Sequence, residues 1–171
     1  PPAAPVASGT LRVASFNVLN YFLTLNSPSG APNCGPAGSR QACRGANSAA
    51  EFTRQRAKLL AALSRLDADL VGLIELENSQ DATGAVIEPL ADLVAGLNAT
   101  AGPGTWAYVN TGIVGTDTIR VGFIYRPARL QPVGPHRVLD ASVDPRFDDG
   151  RHRPVVAQSF EQVSDGARFT A

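Results

Sequence analysis

The residues best placed to do chemistry in this chain stand at the ends of two apolar runs. Leu70-Val71-Gly72-Leu73-Ile74 is unbroken in its apolar character and closes on Glu75-Leu76-Glu77-Asn78. A run of that kind reads as a strand buried on both faces. A carboxylate carried where such a strand surfaces is costly to desolvate unless a cation or hydrogen bonds meet it. Glu75 is therefore positioned to offer an oxygen ligand to a hard metal such as Mg2+. Earlier in the chain, Leu11-Arg12-Val13-Ala14-Ser15-Phe16-Asn17-Val18-Leu19-Asn20 is a second strand that ends in amides. If the two strands are neighbours, Asn17 and Glu75 reach the same sheet end and form half of a metal site. The residues alone leave a plainer alternative open, a solvated glutamate and an asparagine that merely ends a strand.

Other reactive side chains are fewer. Cys34 and Cys43 lie in a Gly/Pro-rich stretch with eight residues between them. A bridge there closes a small loop and is worth roughly 2–3 kcal/mol on the chain-entropy model. It suits an oxidising compartment, hence a secreted or periplasmic protein, although two free thiols are the alternative. Eight residues is not a close ligand spacing for zinc, and only His136 and His152 could assist. His136 reads as a surface histidine, and the acidic stretch Asp144, Asp148 and Asp149 as a solvated turn. Arg40 and Arg44 sit in the same insertion as the cysteines and could meet phosphate or simply face water.

The elements that must position these residues follow from the pattern. After the first strand, residues 21–47 form a long insertion rich in Asn, Ser, Gly and Pro, of a length that is usually functional or mobile. It leaves the sheet just after Asn17 and is expected to overhang that face. Ser48-Ala49-Ala50-Glu51 is a capping box, and a helix runs from it to about Leu66 with Phe52, Leu59, Leu60, Leu63 and Leu66 as its apolar stripe. Arg54 and Gln55 read as part of its solvated face. A second helix begins between Ala85 and Pro89 and ends near Asn98, since proline is tolerated in a first turn. Strands are expected at 106–110, 119–126 and 155–163, with a shorter edge strand at 133–139 beside Pro132 and Pro135. Ser164-Asp165-Gly166 reads as a hairpin turn into a last strand at 167–171.

Length and composition narrow the class. The chain has 171 residues, 44% of them hydrophobic and 18% charged, which fits one folded domain and excludes wholesale disorder. Fifteen basic residues balance fifteen acidic ones. That argues against bulk electrostatic binding of nucleic acid and leaves a local basic groove possible. No run approaches membrane-spanning length, so no membrane partner is expected. The chain contains no methionine and opens on Pro1-Pro2-Ala3-Ala4-Pro5, so residues 1–9 read as a linker and residues 10–171 as the start of a domain.

The pairing LRVASFNVLNYF with DADLVGLIELEN resembles the endonuclease/exonuclease/phosphatase superfamily, which includes pancreatic-type deoxyribonuclease. The insertion CGPAGSRQACRGANSAAEFTRQRAKLLAAL and the ending LIELEN resemble its bacterial extracellular nuclease branch, and GTDTIRVGFIYRP and HRPVVAQSF follow in the same order. The resemblance implies an α/β fold, a mixed sheet with helices on one face, as the N-terminal half of a four-layer α/β/β/α DNase-I-like sandwich. It implies that Glu75 is the principal metal ligand, that Asn17 lies near the scissile phosphate and the metal, and that Arg153 touches substrate phosphate. Asp117 falls where relatives place a substrate-contacting residue, often Tyr. Glu77 occupies a position that is basic or polar in many relatives, and its role stays open; for Arg54 and Gln55 the resemblance offers a structural or phosphate-proximal role as the alternative to the solvated face.

The function so implied is metal-dependent hydrolysis of phosphodiesters in nucleic acid, DNA above all, with Mg2+ and alternatively Mn2+ or Ca2+ as cofactor. A phosphoesterase acting on phospholipid head groups or inositol phosphates, and a non-catalytic binding module, are the alternatives. The resemblance also implies that the domain continues beyond residue 171 with a C-terminal half bearing a catalytic His and further carboxylates. The chain alone is then expected to be inactive, with one sheet face open and apolar.

Overall fold

The structure, a computed structural model, describes residues 9–171; residues 1–8 of the expected linker lie outside the described residues. Two apolar runs become β1 (Val13–Tyr21) and β2 (Leu70–Glu77), which pair in parallel. A parallel pair needs a crossover, and α1 (Ala49–Leu66) supplies it. Ser48 caps this helix through its hydroxyl, which accepts from the Glu51 N–H at 3.3 Å. The Glu51 carboxylate closes the box on the Asn47 N–H at 2.8 Å, one residue earlier than the reciprocal motif requires. Asp67, at φ 46°, ends the helix in the left-handed region.

The chain continues through α2 (Pro89–Ala101), β3 (Ala107–Tyr108) and β4 (Ile119–Tyr125). β4 runs antiparallel to β2 and carries β3 on its far side, giving a mixed sheet of order β1-β2-β4-β3. A second, antiparallel sheet of order β5-β6-β7 is built from β5 (Leu130–Leu139), β6 (Val155–Gln162) and β7 (Arg168–Thr170). Three boundaries differ from the sequence reading. β5 is the longest strand rather than a short one: its prolines are tolerated because it lies at a sheet edge and changes register between Val133 and Arg137. α2 starts at Pro89, within the expected range, but runs on to Ala101 past the expected end near Asn98, and Val86 ahead of it bridges Gln80. β3 shrinks to two residues.

Alternation along the strands sorts the side chains into two cores. On one face of the mixed sheet, Val18, Tyr21, Val71, Leu73, Leu76 and Ile124 pack under Leu59 and Leu63 of α1 and Leu90, Leu93 and Leu97 of α2. The helices approach closely at Gly96, where a Cβ would stand 2.7 Å from Leu60 Cδ1. On the other face, Leu70 meets Leu130 and Phe160 of the second sheet, with Phe123, Tyr125 and Phe169 around them. The Phe160 ring lies 5.5 Å from Tyr125 and 5.9 Å from Phe169, within the range of favourable aromatic pairs. Helices, sheet and sheet thus form three successive layers. The expectation of an open apolar sheet face holds only in part: the second sheet covers the β4 side, and the apolar side chains left open include Val13 of β1 and Ile74 of β2.

Candidate active site

The two strands that lead to the candidate site do not end regularly. Asn17 pairs with Ile74 and Tyr21 with Leu76, so Val18, Leu19 and Asn20 stand against Glu75 alone. β2 is also irregular against β4 between Leu73 and Leu76, so Glu75 is paired in neither ladder. Bulges of this kind turn a side chain out of the sheet's alternation. The backbone records the distortion: Leu19, Asn20 and Glu75 have φ of 55°, 52° and 69°. For residues with a Cβ this left-handed region is unfavourable, and it persists only where neighbours enforce it.

Those neighbours are identifiable. Asn17 Oδ1 accepts from the Leu19 N–H at 2.8 Å, and Glu75 Oε2 accepts from the Asn20 N–H at 3.1 Å. From α1, Gln55 Nε2 donates to the Leu19 carbonyl at 2.9 Å, with the Val18 carbonyl at 3.3 Å beside it. Gln55 therefore is not part of a solvated face, as its place on the helix had implied; it holds the bulge. Behind the bulge the Tyr21 hydroxyl donates to Asp92, and Arg56 donates to the same carboxylate oxygen at 2.7 Å, linking β1 to both helices. Burial, reinforced by the bond to Asp92, pushes the Tyr21 pKa far above the ordinary phenol value.

The polar run after Glu75 is a hub of loop contacts. Glu77 is fully buried, and its Oε2 accepts from the backbone N–H groups of Leu23 and Thr24 at 2.7 and 3.1 Å. Its other oxygen lies 3.6 Å from Cys34 Sγ, which is bonded to Cys43 and carries no proton to donate. Asn78 Nδ2 donates to the carbonyls of Val114 and Asp117, both at 2.8 Å. The Ser79 hydroxyl accepts from the Gly35 N–H at 2.8 Å. Four residues of one motif thus fix, in turn, the bulge, the start of the insertion, the 114–117 loop and the cysteine loop. The insertion is further closed by the Cys34–Cys43 disulfide, as the cysteine spacing suggested. Arg40 donates to the Asn33 and Asp81 carbonyls and serves this scaffold.

Beside the hub, the 114–117 loop, the insertion and the stretch before β6 enclose a cleft of about 580 Å3. Asp117 sits between Arg153, whose Nε donates at 2.8 Å, and Arg44, whose Nη2 lies 3.2 Å away. Burial would raise the Asp117 pKa; the Arg153 bond, the Thr118 N–H and the Arg44 charge outweigh it and hold the carboxyl below its usual value. A buried ion pair supports the back of the loop: Arg120 donates to Glu88 at 2.6 Å and to the Thr111 hydroxyl at 2.7 Å. His152 is exposed and lies against the Phe147 ring edge, and His136 belongs to the edge strand β5.

No protein-family model matches the chain, and no curated protein matches it. Solved structures do. An endonuclease/exonuclease/phosphatase family protein from Bacteroides thetaiotaomicron superposes with a TM-score of 0.53 at 17% identity, over 94% of this chain and 48% of its own. A mannosyl-6-phosphatase of the same organism superposes with a TM-score of 0.53 at 18% identity, over 94% of this chain and 49% of its own. The chain has the endonuclease/exonuclease/phosphatase fold. It spans about half the length of these neighbours, as the N-terminal half of that fold does.

In this fold's first half, the sequence-predicted residues divide into two groups. Asn17, in register with Ile74, stands at the edge of the bulge that carries Glu75, and Asp117 and Arg153 come together in the cleft next to it. Among the described residues no group of three or more His, Cys, Asp and Glu side chains is arranged around a common cation position. Glu75, half-buried with one oxygen on Asn20, fits a hard cation that keeps waters and takes its other ligands elsewhere, whereas the Asn17 amide oxygen, the second expected ligand, is engaged by the Leu19 N–H. On sequence Gln55 reads as solvated first and structural second, and Asn78 and Ser79 carry no role, because their partners are backbone groups that only tertiary folding delivers.

Proposed function

We propose that this chain supplies one metal ligand and the phosphate contacts of a metal-dependent phosphodiester hydrolase acting on nucleic acid, with extracellular DNA as substrate. The observation that carries the reading is the double bulge, which sets Glu75, at a strained backbone position, against the Leu19–Asn20 turn that starts just after Asn17. Glu75 Oε2 is engaged by Asn20, so Oε1 is the oxygen offered to a cation. Asn17 turns its amide oxygen to Leu19 and is left with Nδ2 as a donor for a non-bridging phosphate oxygen. Among the described residues Arg153 uses only Nε, on Asp117, and its outer nitrogens form a fork for phosphate. A divalent cation, Mg2+ first and Mn2+ or Ca2+ in its place, would supply charge neutralisation at phosphorus and a more acidic water when bound. The groups that orient and deprotonate the water come from a complementary half of the fold.

The disulfide supports an extracytoplasmic setting, and no helix of the described residues is long and apolar enough to cross a membrane. A phosphomonoesterase reading is favoured by one observation, the shared fold with the mannosyl-6-phosphatase. Supercoiled DNA and mannose 6-phosphate, offered in parallel to the intact protein and to the chain alone, separate the two. The expected result is nicking by the intact protein that is lost in EDTA and in Glu75→Ala, and no cutting by the chain alone. Phosphate release from the sugar without nicking would replace the nuclease reading, and cutting unaffected by Glu75→Ala would overturn both.

A further inference from the structure

We propose that Arg44, carried on the disulfide-closed insertion, forms with Arg153 a second anion subsite that holds the substrate phosphate neighbouring the one being cleaved. The inference rests on the phosphodiesterase reading and specifies its substrate as a strand with successive phosphates. Two guanidinium groups from distant loops converge on the two oxygens of one carboxylate: Arg44 on Asp117 Oδ1 and Arg153 on Oδ2. Asp117 Oδ1 also accepts from the Thr118 N–H at 2.7 Å, so this carboxylate is committed to holding the arginines. A direct role for it on phosphate would set like charges together. Two cations on one anion leave a local positive charge.

The donors for a phosphate are free. Arg153 has no hydrogen bond among the described residues beyond its Nε, and Arg44 uses only Nη2, toward Gln41 and Asp117. Their side chains are 39% and 46% exposed and open on the cleft. The other carboxylates lining it face their own loop: Asp140 accepts from Ser142, and Asp149 from the Ala141 N–H. Arg151, also on the cleft, is paired with Asp148. Asp140 and Asp149 keep their charge, so the cleft lining balances overall and its positive charge is confined to the Arg44–Arg153 pair, which suits one discrete phosphate rather than a diffuse polyanion field. The pair lies at the catalytic end of the sheet, because Asn78, just after Glu75, anchors the carbonyl of Asp117 itself.

The pair is also pre-set. Arg44 follows Cys43 directly, and the cysteine loop is held by its disulfide and by Ser79. An arginine held in place before binding loses less freedom on contact than one on a free loop.

The test compares Arg44→Ala with the parent in the intact protein, on a DNA oligonucleotide and on bis(p-nitrophenyl) phosphate, a diester with no neighbouring phosphate. The expected result is a KM for the oligonucleotide raised about tenfold, with kcat and all constants for the small diester unchanged. Binding of a fluorescent oligonucleotide in EDTA, read by anisotropy, reports the subsite independently of cleavage. There the slope of log affinity against log salt is expected to fall by about 0.7 for one lost phosphate contact on single-stranded DNA. Unchanged KM and unchanged slope in an active protein overturn the subsite alone. A protein that binds and cuts neither substrate overturns the phosphodiesterase reading and the subsite with it, whereas a reduced slope without cleavage retains the subsite and refutes only the chemistry.

Discussion

Glu77 gives the sharpest separation between a metal ligand and a scaffold residue. It lies two positions from Glu75 in the motif, and on sequence alone either carboxylate could hold a cation. The structure assigns it two backbone N–H groups, those of Leu23 and Thr24, in a fully buried setting. Glu77→Ala leaves both donors without a partner at a cost of about 1–3 kcal/mol each, so roughly 2–6 kcal/mol in all. Against a typical domain stability of about 5–15 kcal/mol that is a large fraction, and Tm should fall by roughly 5–15 °C. Glu77→Gln keeps an acceptor of the same reach and should lose only about half as much. The assay pairs thermal unfolding by circular dichroism with Mn2+ titration of Glu77→Ala, Glu77→Gln and Glu75→Gln in the intact protein. Glu75→Gln is expected to lose metal affinity with little change in Tm, and Glu77→Gln to do the reverse. If Glu77→Gln loses metal affinity as fully as Glu75→Gln while Tm holds, Glu77 is a ligand and the hub assigned to this motif is wrong.

Gln55→Leu removes the side chain that bonds the bulge carbonyls; a stability loss of about 1–2 kcal/mol is expected by thermal unfolding. If the bulge sets the reaction geometry, kcat should drop with KM little changed, and equal kinetics in a destabilised variant would deny Gln55 any positioning role. Replacing Cys34 and Cys43 by serine should cost about 2–3 kcal/mol by the loop-entropy model and open residues 34–43 to protease, which timed digestion would detect. For pH, Asp117 has a folded pKa below its unfolded one, despite burial that acts to raise it. The stability it lends is therefore complete above the ordinary carboxylate pKa of about 3.9 and is lost as pH falls through the lowered value. Asp117→Asn should flatten this acid limb of a stability–pH curve and leave the neutral range unchanged in slope.

Much of the architecture could be read from local pattern because local chemistry determines it. Ser48 and Glu51 marked the start of α1 to the residue, and Pro89 fixed the first turn of α2. The apolar runs before Asn17 and Glu75 marked two strands, and their parallel pairing brought those residues together. What the pattern hid was of two kinds. Pro132 and Pro135 made β5 look short, since a proline removes a donor; at an edge with a register shift the missing donor costs little. The second kind is the set of polar residues whose partners are main-chain groups far away in sequence. Glu77 to Leu23, Asn78 to Asp117, and Gln55 to Leu19 all depend on which loop folding brings alongside. A residue type announces a capacity to donate or accept, never the address of its partner.

Under the proposed function, the left-handed backbone at Glu75 sets folding and chemistry in opposition at a single residue. A side chain at φ 69° is strained by roughly 1–2 kcal/mol relative to a glycine, which adopts that conformation freely. A chain shaped only by the need to fold could take glycine here at little cost, because the relieved strain offsets the acceptor lost to the Asn20 N–H. Glu75→Gly should thus be an inert protein that unfolds no more readily than the parent. Directed searches for thermostable variants would not discard it, so any such search in this fold needs an activity screen from its first round.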